Sequence, residues 1–320
     1  MLEDEINQAV KILRQGGLVA FPTETVYGLG ADAKNSEAVR KVFIAKKRPM
    51  DHPLIVHIGD MAQLSEWANE VSPTAIRLAK AFWPGPLTLI LRKAPHVSDL
   101  VTGGQDTVGI RIPNHPVVQA LLHAFGSGLV GPSANRFGRI SPTTAQAVRE
   151  ELDTAVDWVL DGGQCEVGVE STIVDVSGDH PVILRPGMIT AKQIEAVLHG
   201  PVMMSKKGAP RVSGSLEFHY APQTRTYLIT QDKLEDFLDT LTDEDLPCAL
   251  LARNPPSFRR KQVEIIQMPV TAQEYAHDLY QTLRELDKKK LKQIIIEAVP
   301  DDLEWNAIQD RLKRATLSFK

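Results

Sequence analysis

One stretch constrains this chain more than any other. It is GPVMMSKKGAPRVSGSLEFHYAPQT, residues 200–224, where Gly, Pro, Ser and Lys displace the apolar periodicity found on either side. A segment of that composition supplies no buried face, so it reads as a linker, and two cores are expected rather than one. The length of 320 residues suits two domains as well. The expected boundaries are 1–200 for the first domain, 201–225 for the linker and 226–320 for the second.

The first 200 residues alternate short apolar runs with amphipathic stretches. Ile6, Val10 and Leu13 share a helical face that Gly16-Gly17 stops, and Asn35 or Ser36 caps a helix carrying Val39, Val42 and Phe43. Strands are predicted at Leu18–Phe21, Leu54–Ile58, Leu87–Leu91, Val108–Ile112, Leu129–Gly131, Trp158–Leu160, Thr172–Val176 and Val182–Leu184, with helices around 73–82, 116–125 and 190–198. Several strands follow each other directly, which favours a mixed sheet over a parallel one. After the linker, strands are predicted at Tyr227–Ile229, Ala249–Leu251 and Ile294–Glu297, with helices at 271–287 and 302–316.

The formal net charge is -4, which removes the long-range attraction a dedicated nucleic-acid binder uses, though a local basic cleft is compatible with it. Two cysteines, Cys165 and Cys248, support neither a disulfide framework nor a cysteine-rich zinc site. No run approaches the roughly 18 apolar residues of a membrane span, and a cytoplasmic location is expected.

Four polar clusters interrupt or end apolar runs. Pro22-Thr23-Glu24-Thr25-Val26-Tyr27-Gly28-Leu29-Gly30 follows a strand and suits either a ligand loop, its glycines letting amides approach a substrate, or a turn capped by hydroxyls. Lys46-Lys47-Arg48-Pro49 is either a solvated helix end or a cationic clamp for phosphates, and His57, ending an apolar strand, is a ligand contact or a core histidine. Gly131-Pro132-Ser133-Ala134-Asn135, with Ser141 beyond, offers small neutral donors that form turns equally well. Gly168-Val169-Glu170-Ser171-Thr172 precedes Arg185, which at a strand end wants an anionic partner. There is no G-x-x-x-x-G-K-[ST], no G-x-S-x-G and no H-E-x-x-H, and Ala33 stands where a third glycine would complete G-x-G-x-x-G. Residue types and spacing reach a phosphate-friendly cleft and name no reaction.

The ordered set PTETVYGLG, K-x-R-P, PLIVH, WPGPLTLIL, VGIRIP, PSAN, GVESTIVD and RPG resembles the YrdC-type threonylcarbamoyl-adenylate synthases. His219-Tyr220-Ala221-Pro222 and the run from Trp305 to Ala315 resemble their longer two-domain branch. The resemblance implies an α/β fold: a YrdC-like domain with a twisted mixed sheet around a concave basic cavity, then a smaller Rossmann-like domain. It implies a nucleotidyltransferase that converts L-threonine, bicarbonate and ATP, with Mg2+ accompanying the triphosphate, to threonylcarbamoyl-AMP and pyrophosphate. A threonylcarbamoyl-transferase machinery would use that product for the t6A modification of transfer RNA, to which this chain would bind at most weakly, and no membrane is involved. Carried over position by position, Thr25, His57, Arg111, Gly131 and Ser171 surround threonine. Arg48, His52, Thr107, Ser133, Asn135, Ser141 and Arg185 hold ATP, joined by Tyr220 as the linker folds over the cavity, and Lys46 and Arg48 stabilise developing phosphoryl charge. No protein metal ligand is expected. Lys47 stands where the family often has glycine, and His52 where it commonly has asparagine. A carbamoyl-transfer module and a non-catalytic RNA-binding module are the alternatives. The first lacks cysteines for its zinc fingers, and the second lacks interleaved basic and aromatic residues.

Overall fold

The computed structural model describes residues 2–205, 210–214, 220–257 and 260–318. Its contacts divide into two units, Met1–Phe137 with Ser141–Ser215, and Gly138–Ile140 with Leu216–Lys320.

The strands of the first unit are β1 (Val19–Phe21), β2 (Gly28–Asp32), β3 (Ile55–His57), β4 (Leu87–Arg92), β5 (Thr107–Arg111), β6 (Leu129–Val130), β7 (Trp158–Val159), β8 (Thr172–Asp175), β9 (Val182–Arg185) and β10 (Met203–Met204). They form one mixed sheet in the order β10-β9-β8-β4-β5-β3-β6-β2-β1-β7. β3 runs parallel to β5 with His57 opposite Arg111, and β4 runs antiparallel to β5. Strand alternation decides what each face receives. Val108 and Ile110 of β5, Val56 of β3, and Leu87, Leu89 and Leu91 of β4 enter the main core. Thr107, Gly109 and Arg111, Ile55 and His57, and Thr88 and Ile90 therefore share the opposite face, where the functional side chains collect.

The expected strands and helices of this unit appear, with ends shifted by a residue or two. Asn35 is the cap of helix Ser36–Lys46, its side chain accepting from the amides of Glu37 and Ala38. Lys47 closes that helix in the left-handed conformation, at φ 52, donating its amide to Ile44 O and Phe43 O. Glycine adopts this conformation without steric cost, which is why lysine is the unusual choice there.

Two expectations need correction. Gly28-Leu29-Gly30 is not a loop but the start of β2, antiparallel to β1. A side chain on Gly28 or Gly30 would meet the Phe21 ring at 2.9 or 2.7 Å, so these glycines serve packing, not approach to a ligand. The stretch from 201 is also not a tether throughout: Met203–Met204 adds a parallel edge strand to β9, and Val212 is buried against Ile90 and Ile173.

The second unit holds β11 (Arg225–Ile229), β12 (Cys248–Ala252), β13 (Val263–Gln267), β14 (Gln293–Glu297) and β15 (Leu317–Ser318). All described pairings are parallel, in the order β13-β12-β14-β11-β15. β12 and β14 are buried at every position, as strands covered by helices on both faces must be. β13 and the helix Gln231–Thr240 were not expected, although Leu234, Phe237 and Leu238 have helical spacing.

Candidate active site

The segment after β1 is folded on itself by one hydroxyl. Thr23 Oγ1 accepts from the amides of Thr25 (3.1 Å) and Val26 (3.2 Å) and donates to Val26 O at 2.7 Å. This tight turn buries Thr25 and Glu24 beneath β5 and presents both to Arg111. Arg111 Nη1 donates to Thr25 Oγ1 at 2.8 Å, Nε donates to Gly85 O at 3.2 Å, and Nη2 lies 2.8 Å from Glu24 Oε2. On the neighbouring strand, His57 is buried. Burial, and then the Arg111 charge, pull its pKa down to about 3, so the imidazole is neutral at any ordinary pH. A side chain on Gly131 would come within 2.6 Å of His57 Nδ1, so only glycine lets this backbone reach the ring. Glu24 Oε1 and His57 Nδ1 have no hydrogen-bond partner in the protein. Buried polar atoms left so in one place mark a site that a ligand completes.

A second group adjoins the first. Lys46 Nζ donates to the carbonyls of Ser133 and Asn135 and so fixes the turn after β6, while Asn135 Nδ2 donates to Arg136 O. Burial, followed by the neighbouring Arg48 charge, holds the Lys46 pKa well below that of a free lysine. Arg48 Nη2 donates to Pro53 O and Ser213 Oγ, and its guanidinium lies 5.6 Å from the Phe137 ring. His52 packs edge-on against the same ring at 5.2 Å. Burial, and then the Arg48 charge, lower the His52 pKa, favouring a neutral imidazole with one donor and one acceptor nitrogen. Arg185 donates through Nε and Nη2 to Ser171 O, through Nη2 to Ser171 Oγ at 3.1 Å, and through Nη1 to Ser213 O at 2.9 Å. Ser171 Oγ also meets Thr88 Oγ1 at 2.8 Å, and Ser141 Oγ donates to Glu170 Oε1 at 2.6 Å. Thr107 lines a small pocket with Pro53, Gly109, Ile173, Val212 and Ser213.

Of the five residues expected around threonine, Thr25, His57, Arg111 and Gly131 adjoin one another, and Ser171 meets Thr88 on the neighbouring strand β4. The structure places Lys46, Arg48, His52, Thr107, Ser133, Asn135, Ser141 and Arg185 in the same unit on adjoining segments. Tyr220 lies in the second unit, 1% exposed, stacked on Tyr280 and lying under the Arg311 guanidinium, with its backbone in the left-handed region at φ 63. A bulky residue held in that conformation is fixed by its surroundings. Phe218 and His219, expected to join it in a lid, fall outside the described residues. Sequence reasoning named Glu24 and Glu170 only as members of polar clusters, without a role, and did not single out Phe137 or Ser213. Glu24 had a signal, a carboxylate between residues that a strand end would bury. Ser213 had none, because nothing local links a polar linker residue to arginines at positions 48 and 185.

Residues 11–187 match the family model described as "Telomere recombination" (Sua5, YciO and YrdC), and residues 189–316 match "Threonylcarbamoyl-AMP synthase, C-terminal domain". A threonylcarbamoyl-AMP synthase of Bacillus subtilis is 40% identical, covering 98% of this chain and 93% of that protein. One from Pyrococcus abyssi is 36% identical, over 98% of this chain and 94% of its own length. The crystal structure of P. abyssi Sua5 complexed with L-threonine superposes with a TM-score of 0.90 at 35% identity, covering 98% of this chain and 96% of that one.

Proposed function

The chain belongs to the threonylcarbamoyl-AMP synthase family, and from that premise we infer that it is the enzyme converting L-threonine, bicarbonate and ATP to threonylcarbamoyl-AMP and pyrophosphate, which serves the t6A modification of transfer RNA. The observation that carries the reading is Ser171. Its hydroxyl meets Thr88 Oγ1 on β4, the strand antiparallel to the β5 that carries Arg111, while its carbonyl and hydroxyl accept from Arg185, so this residue links the two groups. An amino acid held by Arg111, Thr25 and His57 would then have its nitrogen, once carboxylated, within reach of a phosphate held by Arg185 and Arg48. Attack of the carbamate oxygen on the α-phosphorus needs no covalent nucleophile from the protein. It needs alignment and positive charge in a dry site, which buried guanidinium groups provide.

No group of three His, Cys, Asp or Glu able to hold a metal exists among the described residues. Magnesium would arrive on the triphosphate as part of the substrate. No helix among the described residues is long and apolar enough to cross a membrane, and the reading places the enzyme in the cytoplasm with the transferase that consumes its product.

The linker gains a role in this reading. Arg211 pairs with Asp51 and donates to Gly103 O, and Ser213 engages both Arg48 and Arg185. Residues 210–214 would act as a closure that yields its contacts to ATP and shields the labile carbamate from water.

The test is mass analysis of products with ATP, L-threonine and bicarbonate, each omitted in turn. Threonylcarbamoyl-AMP and pyrophosphate should appear only when all three are present, and formation of ADP with orthophosphate instead would remove the adenylate mechanism. Arg111→Ala should raise the KM for threonine about tenfold to a hundredfold, the worth of a charged hydrogen bond, and that for ATP much less.

A further inference from the structure

Arg111 and Lys46 are both buried cations, but they are held in different ways. Lys46 rests on two backbone carbonyls, whereas Arg111 rests on the Glu24 carboxylate, with both partners almost wholly buried. Burying two ions costs desolvation that their attraction seldom outweighs, so such a pair inside a ligand site calls for a reason. A carboxylate whose task is only to hold an arginine would engage it with both oxygens in a fork. Glu24 does not. Oε2 alone receives the protein contacts, from Arg111 Nη2 at 2.8 Å and from the Asn114 amide at 3.0 Å, while Oε1 has no hydrogen bond. The Nη2 contact is itself not aligned as a hydrogen bond, so that donor is also left over. Across the β3–β5 ladder, the neutral His57 ring adds an unpartnered Nδ1. The site therefore joins a spare anionic acceptor to a spare cationic donor, and the pair carries no net charge.

We propose that Glu24 recognises the α-ammonium group of the amino-acid substrate through Oε1 while Arg111 takes its α-carboxylate, so that the ion pair acts as a clamp for a zwitterion. This rests on Arg111 being the carboxylate site, as inferred above. A net-neutral clamp matches a net-neutral ligand, whereas Arg111 alone would accept any small carboxylate, including the hydroxy acids and metabolic acids that outnumber threonine in kind. Glu24 is thus the residue that makes a free ammonium group a condition of entry.

The discriminating probe is (R)-3-hydroxybutanoate, which keeps the carboxylate, hydroxyl and methyl of L-threonine and lacks only the ammonium group. Titration calorimetry on the full chain should show L-threonine binding at least tenfold more tightly than this analogue. Glu24→Gln, which retains an acceptor for the Asn114 amide, should weaken L-threonine binding about tenfold to a hundredfold. The same change should leave the analogue unchanged or bound more tightly, because a charge that repels it has gone. Equal weakening of both ligands would reduce Glu24 to a support for Arg111 and overturn the proposal, as would unaltered threonine binding. Should Glu24→Gln fail to fold, the unmodified chain still decides: equal affinity for the two ligands refutes the clamp. If the unmodified chain binds neither ligand, the threonine site itself is misplaced, an outcome distinct from loss of discrimination.

Discussion

The two units hold buried cations by opposite means. In the first, Lys46 is held by the carbonyls of Ser133 and Asn135, and Arg185 donates to the carbonyls of Ser171 and Ser213. In the second, the fully buried Arg311 pairs with Asp310 at 2.6 Å, and Arg253 lies 3.9 Å from the buried Glu297. Carbonyl dipoles orient a cation and leave its net charge in place, whereas a carboxylate cancels it. The first arrangement suits a polyanion such as a triphosphate, and the second suits a sheet that must only stay folded. The Glu24–Arg111 pair is the second arrangement transplanted into the first unit, where a neutral pair faces a ligand of no net charge.

Replacing cations in the two units should therefore break different properties. Arg48→Ala should lower kcat for pyrophosphate release by roughly 10²–10³-fold, the usual loss of a charge-stabilising donor, with a smaller effect on the urea midpoint because Pro53 O and Ser213 Oγ, which it contacts, are neutral. Retention of activity within about threefold would show that this cluster is only a helix end. Arg311→Met should do the reverse. It strips Asp310 of its buried partner while Arg314 still pairs with that carboxylate, so a stability loss of about 2–3 kcal/mol is expected by denaturant titration. A stability unchanged by that substitution would end the contrast between the units.

The pH dependence sharpens the same comparison. His57 titrates near 3 in the folded chain and near 6.5 when unfolded, so between those values the unfolded state holds the extra proton. Stability should fall as pH falls through this window, by about 2 kcal/mol between pH 6.5 and 5 from this residue alone. His57→Gln should flatten that part of the profile, and a slope identical to the unmodified chain would show that His57 is not buried neutral. The smallest effect belongs to Tyr220→Leu, which removes the stack on Tyr280 and the contact with Arg311 and should cost about 0.5–1.5 kcal/mol of stability. A larger effect on the KM for ATP than on stability would support the nucleotide contact that the resemblance implies for Tyr220.

Much of the site was legible along the chain because strand geometry is local. In Thr107-Val108-Gly109-Ile110-Arg111 the alternation sends Val108 and Ile110 to the core, so Thr107 and Arg111 must share the other face, and Val56 does the same for His57. The division into two units was legible as well, since the segment from 200 to 224 carries no sustained apolar face. Three features were decided only by the tertiary structure. Gly28 and Gly30 looked like ligand-loop residues until the Phe21 ring was found against them. Glu24 looked like one acid among several until β5 brought Arg111 to it, and Ser213 had no local mark at all. The physical reason is the same for each. Periodicity follows from the sterics of neighbouring residues, whereas a contact such as Thr25 with Arg111, separated by 86 positions, exists only after a long loop has closed, and nothing in the short-range pattern of either segment encodes its partner.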